Sequence, residues 1–466
     1  MGLVATRSRR GLRGPGFAAA LCAAGLACAG TAAAQSGAFA LPEAGCPMAH
    51  CDARMSDLVN AQGPAQGVAV RIEKSGTGAN NGLGCVSNLT LVACTGSGDP
   101  AVESNLVVYD ADGHRIWQDP GHLGATAWVS APMIDVDGQV IAADKDWILR
   151  ADPRAGVVLW RTAKPDAGVP TSPVPVGSGG GMVLLATLNG GGGTPEVSVW
   201  DAASGALLAH RAIIDAASGR IYATINTPAV RGNRAYVLTS AVGNPKDGRL
   251  YAIDVCEGEA CGGRGALRIA WHHAFNGPSA ASPLLIGSRL FFDGRRSLGA
   301  STFLAVDDLG ATAQAAWTQR FSGRFAFSAA QDPRGGLWVA PWESGTFLRL
   351  SEGNGAVIQS LAVGALLGLS PAYTPSTATS VSRSAAGAVV LTFGAQANNA
   401  SASPAWLAAL DVSSTPEGRL LWKYRVSSNA LRNAPTGQTP VVVAPSGARR
   451  VVFRGTTAST FFVGDP

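Results

Sequence analysis

The feature that most constrains this 466-residue chain is a unit that returns about every 40 to 70 residues. Each copy opens on Ser or Thr near Pro, runs through a short β-rich hairpin, and closes on an alternating stretch ending in Asp, a Gly turn and Trp. The opening stands at Ser130 with Pro132, Ser172 with Pro173, Thr227 with Pro228, Ser282 with Pro283, Ser370 with Pro371 and Thr439 with Pro440, with a weaker copy at Ser328. The closing half reads Asp110, Gly113, Trp117, then Asp152, Gly156, Trp160, then Asp201 and Gly205 with Ala209 in place of Trp. After longer turns it returns as Asp254 to Trp271, Asp307 to Trp317, and Asp411, Gly418, Trp422, with a degenerate copy at Ser351, Gly355 and Gln359.

Runs such as Val107 to Asp110 and Leu250 to Asp254 are short, rich in β-formers and bounded by turn residues, so each unit supplies about four strands. One four-stranded sheet cannot bury both its faces, and stacking sheets radially lets a single domain outgrow an ordinary core. The expected fold is all-β, an eight-bladed β-propeller of four-stranded antiparallel blades, with units starting near residues 82, 131, 172, 227, 282, 328, 370 and 439. The last unit has material for three strands, and Gly67 to Lys74 supplies the fourth, which closes the ring and leaves no free sheet edge. Seven blades with an insertion is the alternative count. The repeat tryptophans are read as packing between sheets.

The Asp, Gly, Trp and Ser-Pro pattern resembles the pyrroloquinoline-quinone-type repeat of the quinoprotein-dehydrogenase-like propellers, over roughly residues 45 to 466. Pro47, Met48, His50, Asp52 and Arg54 resemble the first segment of many such chains, with Cys46 where Trp is usual. The resemblance implies the propeller fold. It leaves three activities open: quinone-dependent dehydrogenases, the propeller of the outer-membrane barrel-assembly machinery, and secreted propellers without known chemistry.

Residues 1–34 carry Arg7, Arg9, Arg10 and Arg13 without an acid, then an apolar stretch from Phe17 to Ala29 and small residues to Ala34, the layout of a cleaved export signal with cleavage before Gln35. Residues 35–66 then form an extension and 67–466 the propeller. Ser8, Arg9 and Arg10 resemble a twin-arginine signal, and the spacing before Cys28 disfavours a lipid anchor. Without the leader, 32 basic residues face 31 acidic ones, which gives no reason to expect a nucleic-acid partner. A monomer is expected, since a closed ring needs no partner to cover its edges.

The six cysteines beyond the leader, Cys46, Cys51, Cys85, Cys94, Cys256 and Cys261, are disulfide candidates in an exported chain. Cys256 and Cys261 flank a short polar loop and are the favoured pair. With a turn at Ser87 and Asn88, Cys85 and Cys94 are expected at opposite ends of a hairpin, too far apart to bond, and the first four cysteines keep three connectivities. No C-x-x-C, C-x-x-C-H, G-x-S-x-G, H-E-x-x-H or P-loop motif occurs, so zinc-knuckle, c-haem, hydrolase, zinc-protease and nucleotide-dependent readings have no support.

In a propeller the connections into the innermost strands and the turns between second and third strands share one face, the default ligand site. Weak candidates for contacting a cofactor there are Trp128, Asn226, Asn276, Arg324 and Arg432. Thr171, His272, His273 and Asn433 share these connections, and Asp166 is the one carboxylate in them. A quinoprotein needs Ca²⁺ on carboxylate and amide oxygens and an Asp base, as the resemblance implies, so the carboxylates to watch are Asp144, Asp146, Asp247, Asp293 and Glu343. His272 and His273, as strand neighbours, point to opposite faces and do not share one ion, and Arg295 with Arg296 reads as a solvated turn. The expected function is an exported, non-catalytic propeller that binds a protein or small ligand at its axial mouth, with no catalytic residue and no cofactor. The alternative is a soluble oxidoreductase using pyrroloquinoline quinone and calcium.

Overall fold

The short runs bounded by Gly, Asp and Pro form strands because their β-branched and aromatic side chains fill both faces of narrow stacked sheets. The computed structural model describes residues 39–74, 84–95, 106–123, 130–166, 168–188, 193–294, 300–325, 327–370, 373–376, 379–397, 403–427, 435–455 and 459–466. The expected leader, Trp128, Arg295, Arg296, Arg432 and Asn433 lie outside these residues.

The described strands assemble as a β-propeller. The innermost strands, in chain order, are Gly84–Ser87, Met133–Ile134, Val174–Val176, Ala229–Arg231, Leu284–Ile286, Ala330–Gln331, Ser380–Arg383 and Val441–Val443. Each is followed by antiparallel neighbours, as in the fifth unit, where Leu284–Ile286, Arg289–Gly294, Ser301–Asp308 and Ala313–Phe321 pair in sequence order. In the eighth unit the outermost place is taken by Val68–Lys74, which runs antiparallel to Ser459–Gly464 with Val68 opposite Gly464 and Lys74 opposite Ser459. The third and fourth units are joined by Ile221–Thr224 into one nine-stranded sheet. Burial falls from the axis outward: all four residues of Gly84–Ser87 are buried, and none of Ala313–Phe321 is.

The two halves of the repeat bind each unit to the next. At the opening, a buried hydroxyl receives the backbone N–H of a neighbouring unit: Ser172 N–H donates to Thr227 Oγ1, Ser282 N–H to Ser328 Oγ at 2.8 Å, and Thr439 N–H to Ser380 Oγ at 2.9 Å. The seventh unit corrects the sequence expectation, because Ser380 and not Ser370 fills this role. The short helix Val363–Leu366 and the extra strand Tyr373–Pro375 are inserted first and displace the innermost strand along the chain.

At the closing half, the indole N–H of one unit reaches a turn of the next. Trp160 donates to Ala202 O, Trp271 to Asp308 Oδ1, Trp317 to Glu352 O and Trp422 to Pro64 O, at 2.9 to 3.2 Å. The degenerate copy keeps the bond without the indole, since the Gln359 amide donates to Pro416 O at 2.7 Å. The motif glycine makes room for the ring: a Cβ on Gly205 would lie 2.5 Å from Trp160, and one on Gly355 2.7 Å from Trp317. Asp308 gathers the fourth unit onto the fifth, accepting from Tyr236, Trp271, Arg231 and Arg234.

Two disulfides are present, Cys46–Cys51 and Cys85–Cys94. The second overturns the expected separation. Cys85 and Cys94 stand directly opposite each other in the hairpin register, between the pairs Gly84 with Thr95 and Val86 with Ala93, with Cα atoms 4.2 Å apart. Two residues equally far from a turn face each other however long the hairpin, and the turn placed at Ser87 and Asn88 set them off balance. Cys256 and Cys261, the favoured pair, are free thiols.

Gly205→Ala should therefore destabilise the fold by about 1–3 kcal/mol through overpacking against Trp160 at a φ of +72°. Gly219→Ala, at a similar φ of +68° but with open space around the new methyl, should cost only the left-handed strain, about 1–2 kcal/mol and less than Gly205→Ala, when both are compared by urea titration. Equal losses would show that the indole does not set the demand for glycine.

Candidate functional site: a plugged axis and the opposite end

Residues 40–57 lie across one end of the ring and hand backbone carbonyls to the innermost strands. Ile134 N–H donates to Pro47 O, Val230 N–H to Ala53 O, Leu285 N–H to Arg54 O, Gln331 N–H to Ser56 O and Val381 N–H to Asp57 O, at 2.6 to 2.9 Å. Cys46 and Ser87 exchange two such bonds, and the Gln438 amide donates to Met48 O. Seven units are thus tied to one segment. Leu58–Gln62 then leaves the axis as a parallel neighbour of Ser380–Arg383.

The segment holds its tight path at a conformational cost. His50, Cys51, Met55 and Asp57 all have φ between +55° and +69°, which disfavours each by about 1–2 kcal/mol. Local bonds offset this: Asp52 accepts from Arg54 N–H, Ser56 N–H and the Ser56 hydroxyl, and Asp57 N–H donates to His50 O. His50 Nδ1 lies 3.0 Å from Asp57 Oδ2, with both side chains buried. Burial works against the imidazolium, but the charge and hydrogen bond of Asp57 outweigh it, and His50 titrates above its ordinary value. Burial raises Asp57, against the pull of His50. The sequence marked His50 and Asp52 but not Asp57, whose buried place depends on the left-handed turns.

Beside the plug lies a cavity of about 910 Å³, between residues 41–62 on one side and Pro333 with Val381–Ser384 on the other. Its lining mixes Leu58, Val59 and Val381 with Glu43, Asp52, Arg54 and Arg383. This cavity was not foreseen, because no sequence signal places residues 41–62 across the axis.

The opposite end carries the residues singled out from sequence. Asn226 is spent structurally: its amide donates to Ala280 O and its oxygen accepts from Thr227 N–H. Asn276 ends the outermost strand of the fourth unit, exposed and opposite Asp247. Arg324 pairs with Glu343 at 2.8 Å, and its N–H donates to the same carboxylate. Three of the other four marked carboxylates are committed too. Asp144 Oδ1 accepts from Asp146 N–H and Trp147 N–H, Asp247 from Arg220 and the Tyr222 hydroxyl, and Asp293 from the Ser279 hydroxyl and the N–H groups of Ala280 and Ala281. Asp293 and Asn226 both bind the Ala280 backbone, and Asp247 stands opposite Asn276 in the sheet, so these carboxylates and amides lie at separate places. Asp166 lies 3.5 Å from the buried Lys164 ammonium. Burial pulls His272 down, helped by Arg249 whose guanidinium lies 3.1 Å from its Nε2, and burial lowers His273.

Among the described residues no three His, Cys, Asp or Glu side chains gather in a way that could hold a metal ion. A calcium-bound quinone needs several oxygens converging on one point. The described donors do not fit it.

Residues 144–446 match the family described as outer membrane protein assembly factor BamB. The chain belongs to that family. Among solved structures it is similar to BamB from Moraxella catarrhalis, at 12% identity and a TM-score of 0.51, covering 85% of this chain and 97% of that one. It is also similar to the quinohemoprotein alcohol dehydrogenase from Comamonas testosteroni, at 13% identity and a TM-score of 0.58, covering 91% and 81%. At these identities the likeness is one of fold. No curated protein sequence matches. Among the described residues no helix is long and apolar enough to cross a membrane.

The His50–Asp57 pair carries a pH signature. With His50 raised, its contribution to stability is complete below its unfolded value near 6.5 and is lost as pH climbs through the folded value. The raised Asp57 acts in the same direction, its share being lost as pH rises through its own folded value. Unfolding free energy should therefore contain a component that falls as pH rises past the ordinary histidine value near 6.5. Asp57→Asn and His50→Gln should each flatten it, and a slope unchanged in both variants would contradict the assignment.

Proposed function

We propose that this chain is an exported propeller that serves as a binding scaffold for a protein or small-ligand partner, recognised at the axial mouth opposite the plug, and that it does not catalyse quinone-dependent oxidation. The observation that carries this reading is the commitment of four of the five marked carboxylates at the mouth. Asp144, Asp247, Asp293 and Glu343 each serve a local turn or an arginine, so none is left converging with another on a shared ion. Membership of a family described by an assembly factor supports the same reading, and an end tied shut by main-chain bonds leaves the other as the axial approach. The leader expected at residues 1–34 would deliver the chain outside the cytoplasm, with cleavage before Gln35.

The test is a titration of the purified chain, lacking residues 1–34, with pyrroloquinoline quinone in excess calcium. Quinone absorbance and melting temperature are followed together, because a ligand bound to the native state alone must raise the melting temperature. No saturable shift is expected at quinone concentrations well above micromolar. A saturable shift with dye-linked alcohol oxidation would overturn the scaffold reading. In cells, a photo-crosslinker replacing exposed Asn276 should give a discrete adduct, and one replacing Val357 on an outermost strand should give none; the reverse would move the recognition surface to the rim.

A further inference from the structure

Cys256 and Cys261 take no part in the plug or the mouth. Cys256 follows the strand Asn244–Val255 directly and is buried; Cys261 ends the short turn Glu259–Cys261 and is exposed. The turn folds the second cysteine back over the first, so that Cys261 O lies 2.7 Å from Cys256 Sγ, while Cys261 Sγ faces Gly258 O at 3.4 Å. Their spacing of five residues is that of Cys46 and Cys51, which this chain already bridges. Gly258, Gly262 and Gly263 surround them, the last two at φ of +113° and +98°, and a Cβ on Gly258 or Gly263 would meet nothing within 4 Å. Cys256 N–H donates to Ala266 O and Gly265 N–H to Cys256 O, so the loop returns to its start and keeps the two cysteines close.

The two thiols are chemically unequal. The neighbouring Cys256 side chain, with help from the Gly258 backbone, holds the Cys261 thiol below its ordinary value. Pairing with Cys261, aided by burial, pushes Cys256 up. The exposed sulfur therefore ionises more readily than the buried one, and the thiolate is the reactive form.

We propose that Cys256 and Cys261 form a redox-active pair that exchanges with external disulfides and closes reversibly to an internal one. The Cys261 thiolate attacks one sulfur of the incoming disulfide; that S–S bond breaks, and its other sulfur leaves with the electron pair and takes a proton. Cys256 then loses its proton, attacks Cys261 Sγ and expels the second thiol. Two protein thiols are oxidised to one disulfide, and the oxidant is reduced to two thiols.

The pair sits where closure has a consequence. Glu257 binds the backbone N–H and hydroxyl of Ser178, and Arg264 binds Asp201 at 2.5 Å and Gly181 O at 3.0 Å. All four contacts cross from the fourth unit to the third. Closing the pair shortens the loop between Glu257 and Arg264, so its redox state acts on the grip between these units.

The experiment holds the full chain in glutathione buffers of graded composition, quenches with acid, alkylates free thiols and maps disulfides by non-reducing peptide analysis. Oxidised glutathione should close Cys256–Cys261, and reduced glutathione should reopen it under conditions that leave Cys46–Cys51 and Cys85–Cys94 intact. Cys256→Ser should retain glutathione on Cys261, with at least about tenfold less retained on Cys256 in Cys261→Ser, as thiolate character and exposure dictate. Two thiols that stay alkylatable in oxidised glutathione would overturn the proposal. So would a bond as resistant to reduction as the other two, or adducts formed equally on either cysteine.

Discussion

Main-chain hydrogen bonds from one irregular segment hold the centre of this molecule. An innermost strand at the axis of a propeller is hydrogen-bonded to its own sheet on one edge, and on the other edge its N–H groups look into the central channel, where they need water or protein acceptors. Residues 46–57 supply those acceptors in turn to Ser87, Ile134, Val230, Leu285, Gln331 and Val381. The left-handed turns at His50, Cys51, Met55 and Asp57 follow from this duty, because a chain that must face successive units around an axis cannot stay extended. The His50–Asp57 pair and the Cys46–Cys51 bridge brace the same turns from within.

Outside the axis, cohesion comes from a second, repeated device. An indole or amide N–H crosses to the next unit and lands on a turn whose glycine admits the ring. The bond is modest, of the order of 1 kcal/mol, yet it fixes where the large aromatic surface packs. One motif thus serves two units, with Asp and Gly shaping the turn that receives and Trp supplying the group that reaches. The third unit, with Ala209 in place of Trp, uses Leu208 instead, packed over Gly265 of the next turn.

The sequence carried the fold well because the fold is repetition. Ser-Pro openings, Asp-Gly turns and tryptophans fall at the places that bind units together, and Val68–Lys74 takes the outermost strand that Gly67 to Lys74 was expected to supply. Where a unit departs from the pattern the reading slipped: Ser370 with Pro371 carries the right letters, but the inserted helix and strand move the junction to Ser380. The hairpin cysteines meet because the turn lies between Ser87 and Leu91, later than Ser87 and Asn88 alone would place it, and so stands midway between them. The axial segment was less accessible still. Its course depends on bonds to seven units at once, and positive φ at His50, Met55 and Asp57 has no local signal in residues that are not glycine. The mouth residues were placed on sensible connections, but a list of carboxylates cannot say whether each is free or already held by an arginine or a turn.

The proposed role as a binding scaffold, and not a quinone-dependent oxidoreductase, rests on a ring closed at one end by residues 46–57 and on four of the marked carboxylates at the other end being engaged in structure. Everything in that view depends on the plug being a fixed part of the native ring. The most direct measurement is amide hydrogen exchange, resolved to single residues, at Ile134, Val230, Leu285, Gln331 and Val381. Carbonyl acceptors from residues 47–57 predict protection at these five amides comparable to that of amides paired within the sheets, such as those of Ser301–Asp308. Fast exchange at these amides, beside slow exchange within the sheets, would show that the segment does not close the axis.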